Sequence, residues 1–245
     1  MPTSAFIDNI RGMRSFICLM LLLAVAPLIR AQDVEMTIRR LEHRYHRAGT
    51  LEAAFFESYT DGNGGISAES GTVYFSRPGR MRWEYEVPEE KLFLVDGRNV
   101  WFYVPADHTA SRAKLNESSD WRTPLALLAG KADISKLCRK IEAVDDASNL
   151  HSAVGEQTSR AAGSRLLRCI PRDGSGEDAT GEILFETDPQ AYLVRVVIRE
   201  PGNIKTEFRF GNWQENIPIP EIKFHFEPPP GVSIVDEETL AGAMH

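Results

Sequence analysis

From Met81 the chain reads Met-Arg-Trp-Glu-Tyr-Glu-Val, so that Met81, Trp83, Tyr85 and Val87 alternate with Arg82, Glu84 and Glu86. Side chains of an extended strand point to opposite faces in turn, so this run is a strand with one large-residue face buried and one charged face in water. The pattern recurs along the chain. Residues 51–59 carry aromatics and run into Asp61-Gly62-Asn63-Gly64-Gly65, a hairpin turn. Residues 71–76 are broken by Arg77-Pro78-Gly79-Arg80, Pro88-Glu89-Glu90 leads into residues 91–95, and Asp96-Gly97 leads into residues 99–104, which hold Trp101, Phe102 and Tyr103. Residues 165–170, 181–186, 192–199 and 203–213 read as further strands. In the last, Ile204, Thr206, Phe208 and Phe210 share one face, and Lys205, Glu207 and Arg209 share the other. Asp188-Pro189-Gln190 and Pro201-Gly202-Asn203 supply turns. Connections this short pair strands antiparallel, because a parallel pair needs a long crossover. The expected fold is one antiparallel sheet of roughly ten strands, and a sheet of that size curls around a concave apolar face.

Helices are few. Val34, Ile38, Leu41, Tyr45 and Ala48 recur at three- and four-residue steps, opposite Arg39, Arg40, Glu42, His43, Arg44 and Arg47. That spacing predicts an amphipathic helix with one face for a core, ended by Gly49. Thr123 is a fitting N-cap and Pro124 a fitting first position for a short helix over Leu125-Ala126-Leu127-Leu128-Ala129, stopped by Gly130. This segment is apolar nearly all round, so both its faces need cover. A second short helix is expected from Asp133 to about Cys138, and residues 145–164 read as a polar loop. Residues 222–226, a Pro228-Pro229-Pro230-Gly231 stop and an acidic tail close the chain.

The N-terminus reads differently. Arg11 and Arg14 precede an apolar run over residues 16–27, and Ala31 follows. A basic region, an apolar core of this length and a small residue make a secretory signal peptide over residues 1–31, with residues 32–245 as the exported domain. The run is too short for a confident membrane span. Cys18 lacks the small-residue context of lipoprotein processing, so the chain itself is not expected to be lipidated. Taking Arg11, Arg14 and Arg30 from 28 basic residues, and Asp8 from 35 acidic ones, leaves 25 and 34, a net charge of −9 against −7 for the whole chain. A net-acidic chain without clustered Lys and Arg is a poor nucleic-acid binder. Two cysteines remain, Cys138 and Cys169. Export permits a disulfide between them, and two separately buried thiols are the alternative.

No catalytic or metal signature stands out. His43 and His46 sit three apart, but among Arg39, Arg40, Arg44 and Arg47, which repel a cation. The Asp61-Gly62-Asn63 start of a calcium loop lacks its later ligands, with Gly65 and Thr72 where oxygen donors belong. No Gly-x-Ser-x-Gly elbow and no dinucleotide or Walker fingerprint occurs. The expectation is a non-enzyme without metal or cofactor.

The segments in this order resemble the LolA family of periplasmic outer-membrane lipoprotein carrier proteins. The main block is Gly71-Thr72-Val73-Tyr74-Phe75-Ser76-Arg77-Pro78-Gly79-Arg80-Met81-Arg82-Trp83-Glu84-Tyr85. It is followed by Pro88-Glu89-Glu90, Leu94-Val95-Asp96-Gly97, Val100-Trp101-Phe102-Tyr103-Val104-Pro105, Thr123-Pro124-Leu125 and the closing Lys223-Phe224-His225-Phe226-Glu227-Pro228-Pro229-Pro230-Gly231-Val232. The likeness covers roughly residues 35–232. Residues 145–164 and the tail after Val232 have no counterpart.

The resemblance implies an α+β fold: a highly curved, incomplete antiparallel barrel of about ten to eleven strands. An N-terminal helix and short inserted helices would cover its concave face. It implies a monomeric carrier that takes lipidated proteins from an inner-membrane ABC-type release complex to an outer-membrane receptor, holding their acyl chains in an apolar cavity. Arg77 matches the family arginine that ties the lid helices shut through their backbone carbonyls; an exposed turn residue is the plainer reading. Leu41, Tyr45, Phe55, Met81, Trp83, Tyr85, Trp101, Leu125, Leu127, Leu128, Phe208 and Phe210 are the expected cavity and lid residues. A carrier or sensor of another amphiphile, such as a glycolipid or free lipid, is the alternative, because apolar pockets discriminate poorly among alkyl chains.

Overall fold

The computed structural model describes residues 33–115, 128, 133–144, 163–172 and 181–237. The leader, most of the helix expected at residues 123–130, and residues 145–162 of the expected loop lie outside them. A helix, α1, spans residues 33–47, where the three–four spacing places it. Strands follow as β1 (Thr50–Thr60), β2 (Ile66–Ser76), β3 (Arg80–Val87), β4 (Lys91–Val95), β5 (Asn99–Val104) and β6 (Thr109–Lys114). One helical turn, α2 (Ile134–Leu137), leads into β7 (Cys138–Ala143). Then come β8 (Arg165–Pro171), β9 (Glu182–Thr187), β10 (Leu193–Glu200), β11 (Ile204–Glu215) and β12 (Ser233–Glu237).

All twelve strands form one sheet in the order β12-β6-β5-β4-β3-β2-β1-β11-β10-β9-β8-β7. Strands β1 to β6 step outward as hairpins, β7 to β11 step back, and β1 pairs with β11 to join the two series. The sheet has twelve strands where ten or eleven are expected, and its last pairing is not antiparallel: β12 runs parallel to β6. The strands that sequence reading misses, β6 (TASRAK), β7 (CRKIEA) and β12 (SIVDE), lie at or next to the two sheet edges. Edge strands carry charge and little apolar periodicity, so their pattern is weak. The helix expected from Asp133 stops at Leu137 because Cys138 takes up extended backbone and starts β7. The Arg77–Pro78 and Val87–Pro88 peptide bonds, at the two ends of β3, are cis.

Alternation sorts the strands into two faces. Met81, Trp83 and Tyr85 of β3 join the main apolar cluster with Phe55, Phe75, Phe93, Phe185, Phe208 and Phe210. The sheet bends toward this face. Three strand spacings separate β3 from β11, about 14 Å on a flat sheet, yet the Trp83 and Phe208 rings lie 5.5 Å apart. On the outer face Leu92, Leu94 and Trp101 pack with Phe224, on the helical turn Glu221–Phe224, and with Phe226.

Candidate functional site

Helix α1 lies on the apolar face and covers it. Its Ile38, Leu41 and Tyr45, with Ala48 just past its end, are buried in the same cluster as the wall residues. Three contacts hold its C-terminal end. The Tyr45 hydroxyl accepts the Leu193 backbone N–H at 2.9 Å, and its ring meets Trp213 edge-on at 5.7 Å; burial pushes its pKa well above the usual phenol range. Arg44 pairs with Glu215, donates to the Gln190 carbonyl at 3.0 Å and lies 3.9 Å over the Tyr192 ring. Arg77, at the β2–β3 turn, donates from Nε to the carbonyl of Ala48, and its own N–H donates to the Gly49 carbonyl at 3.1 Å. A cation beside the last carbonyls of a helix also complements the helix dipole. Burial lowers the Arg77 pKa from its ordinary value.

Beneath α1 the wall is aromatic. Trp83 is wholly buried, with Phe55, Phe75, Phe208 and Phe210 rings between 4.8 and 6.2 Å from its own. Toward the β1–β2 hairpin the wall turns polar. Glu57, 3% exposed, accepts a hydrogen bond from the Tyr85 hydroxyl at 3.0 Å. Burial is the main cause that pushes the Glu57 carboxyl up to about 8; Glu69 adds to this, while the Tyr85 bond and Lys91 oppose it. Burial and the neighbouring Glu57 raise the Tyr85 phenol well above its usual value.

Of the expected site residues, Leu41, Tyr45, Phe55, Met81, Trp83, Tyr85, Leu128, Phe208 and Phe210 come together in this one cluster. Leu125 and Leu127 lie outside the described residues. Trp101 is a correction: it belongs to the outer-face cluster, and its indole N–H donates to Asp96 at 3.2 Å. Val100 and Phe102 take the inward positions of β5, and a run of three aromatics gives no alternation from which to tell the faces. Cys138 and Cys169 are joined by a disulfide, with Cα atoms 5.5 Å apart. Sequence reading passes over Glu57, although a signal is present: Leu51, Ala53, Phe55 and Glu57 share one phase of β1, so the carboxyl follows the apolar side chains inward.

A separate cleft of about 590 Å³, open to solvent, runs along the polar side of α1. Arg40, His43, Arg44 and Arg47 line it with Glu215 and the 189–191 turn, a charged lining that does not suit a hydrocarbon chain. Among the described residues no group of three or more His, Cys, Asp or Glu is placed to hold a metal ion.

A bent, mostly antiparallel sheet that does not close on itself among the described residues, roofed by an amphipathic helix, defines a half-barrel protein whose covered face is largely apolar. The family described as outer membrane lipoprotein carrier protein LolA matches residues 46–161. A protein named outer-membrane lipoprotein carrier protein from Nitrosospira multiformis is 28% identical over 203 residues, covering 82% of this chain and 88% of that one. One of the same name from Azotobacter vinelandii is 35% identical over 131 residues, 53% of this chain and 62% of that one. Among solved structures, a LolA superfamily protein from Nitrosomonas europaea superposes with a TM-score of 0.43 at 9% identity, covering 79% of this chain and 97% of that one. Over most of its length the chain is thus similar in sequence to proteins named outer-membrane lipoprotein carrier protein, and the part that matches the LolA family description runs from the end of α1 through β7.

Proposed function

We propose that this protein is a periplasmic carrier of lipidated proteins, which takes their acyl chains between the aromatic wall and α1. Residues 1–31 direct export. An inner-membrane ABC-type release complex loads the carrier, and an outer-membrane receptor unloads it. The observation that carries the reading is a continuous aromatic wall roofed by one amphipathic helix, whose C-terminal carbonyl accepts the Arg77 guanidinium.

The energetics suit a shuttle. Each buried methylene contributes about 0.8 kcal/mol, so a long acyl chain withdrawn from water gains on the order of 10 kcal/mol. Binding that strong prevents release unless a closed, empty state competes with it. In the closed state Trp83 and Tyr45 are fully buried by their own neighbours, so cargo gains access only when the helix moves off the wall. Opening breaks the Arg77–Ala48 bond, a charge-assisted contact of about 1.5–3 kcal/mol, and cargo is held less tightly by that amount.

Arg77→Leu tests this. The variant is expected to load lipoprotein but pass it to acceptor membranes at least about tenfold more slowly, since roughly 1.4 kcal/mol of closing energy is a factor of ten. Transfer at the wild-type rate would remove Arg77 from the mechanism.

A further inference from the structure

The covered wall is not purely hydrocarbon. The indole N–H of Trp83 is buried and has no hydrogen-bond acceptor among the described residues. Two positions along the same face of β3 stands the Tyr85 hydroxyl, bonded to Glu57. Both partners of that bond are 3% exposed. Because burial keeps the Glu57 carboxyl protonated at neutral pH, the pair carries two hydroxyl hydrogens between them. Their single contact uses one. The other is free to turn toward a ligand oxygen.

This polar corner is held in place. Phe55 and Tyr85 stand on either side of Gly71 in the β1–β2–β3 register, and their rings meet edge-on at 5.0 Å. A side chain at Gly71 cannot be accommodated, since its Cβ would fall 1.8 Å from the Glu84 carbonyl oxygen. The register shift between Ser70 and Gly71 lies at the same point. Lys91, paired with Glu69, rests 5.7 Å from the centre of the Tyr85 ring. The corner is thus a fixed feature of the wall, not a loose rim side chain.

A buried donor without an acceptor is destabilising, and phenylalanine at position 83 would avoid the cost. The group that complements such donors is a carbonyl oxygen, and ester- or amide-linked acyl chains begin at one. We infer that the Trp83 indole N–H and the Glu57–Tyr85 pair form a donor set that binds the ester or amide carbonyl oxygens of acylated ligands. The inference rests on the acyl-chain reading above and adds to it a discrimination: linkage chemistry is recognised, not chain length alone.

The test uses two probes with the same chain and head group, palmitoyl lysophosphatidylcholine, which is ester-linked, and hexadecyl lysophosphatidylcholine, its ether-linked analogue. Their affinities for the purified protein are measured by titration calorimetry at neutral pH, in wild type and in Tyr85→Phe, Glu57→Met and Trp83→Phe. Wild type is expected to favour the ester by about tenfold, and each variant to reduce that ratio toward one. Because the readout is a ratio within each variant, a general loss of affinity cancels. The Tyr85→Phe result stands alone if Trp83→Phe does not fold. Equal wild-type affinity for the two probes, or a preference that survives Tyr85→Phe and Glu57→Met, overturns the donor set while leaving an acyl-chain site. Binding of neither probe overturns the acyl-chain reading and this inference with it.

Discussion

Glu57 of β1 and Glu207 of β11 sit one step apart in the register of paired strands, both buried, on opposite faces of the sheet. On the outer face Glu207 is met by Arg195 at 2.9 Å, Arg209 at 2.8 Å and Lys205 at 3.8 Å. On the covered face Glu57 has one phenol and is held neutral by its surroundings. The same residue type is accommodated in two ways. Surrounding a carboxylate with cations fixes the strands that carry them, since parting any of them exposes buried charge. A neutral carboxyl in an aromatic wall imposes no such penalty when its neighbours move. The outer face is therefore scaffold, and the covered face is the one that can accept something else.

The largest expected effect tests the scaffold half. Glu207→Gln removes the carboxylate that three cations share, and losing one partner of a buried ion pair costs about 3–5 kcal/mol. The urea midpoint should fall accordingly, with an unchanged slope. A loss under about 1 kcal/mol would mean that the cluster is solvated, and the contrast between the faces would fail.

The disulfide sharpens the contrast at the sheet's edge. Cys138 and Cys169 lie in the covered-face cluster, where β7 pairs with β8. On the outer side of the same strands Arg168 links Glu142 and Glu182 by charge. Thus the covered face is held at that edge by a covalent bond, and the outer face by ion pairs. The bridge closes a loop across 31 positions, for which chain entropy gives about 3–4 kcal/mol. Replacing both cysteines with alanine should lower stability by that amount, and reductant should have the same effect on wild type but none on the variant. High salt should not substitute for reductant.

Which of these features the sequence displays follows from how strongly the environment repeats. Central strands β3 and β11 alternate cleanly because one face lies in the main apolar cluster and the other carries charge, and α1 itself shows its buried face at Ile38, Leu41 and Tyr45. Strands β6, β7 and β12, at or next to the sheet edges, have little to bury, so their composition resembles loop. Trp101 and Phe102 are adjacent aromatics packed on different faces, because the segment holding Phe224 and Phe226 gives β5 a second apolar environment that comes from more than a hundred residues away. The Arg77–Ala48 contact depends on a family resemblance; charge pattern alone cannot distinguish it from an exposed turn. The bridge between Cys138 and Cys169 needs the β7–β8 pairing, which is invisible without β7. Glu57 was legible in principle, since its phase within β1 points it inward, but a lone carboxyl at the end of an apolar run reads as the strand reaching solvent.

The smallest effect, per unit of the variable changed, bears on the covered half of the comparison and has a definite sign. The Glu57 carboxyl titrates near 4.5 ordinarily and at about 8 in the folded protein. Between those values the unfolded chain has released the proton that the native state still holds. Stability from this group is therefore fully present below about pH 4.5 and lost as pH rises toward 8, by at most about 1.4 kcal/mol per pH unit, after which it levels off. The charged groups nearest it, Glu69 on β2 and Lys91 on β4, oppose one another and do not reverse that sign. Glu57→Gln keeps the shape and removes the titration. Urea midpoints followed from pH 5 to 8.5 should decline more steeply for wild type than for the variant, with the gap widening up to about pH 8 and constant above it. Parallel profiles would mean that Glu57 ionises in the native state as it does in the unfolded chain, and the two buried glutamates would then differ only in the number of their neighbours.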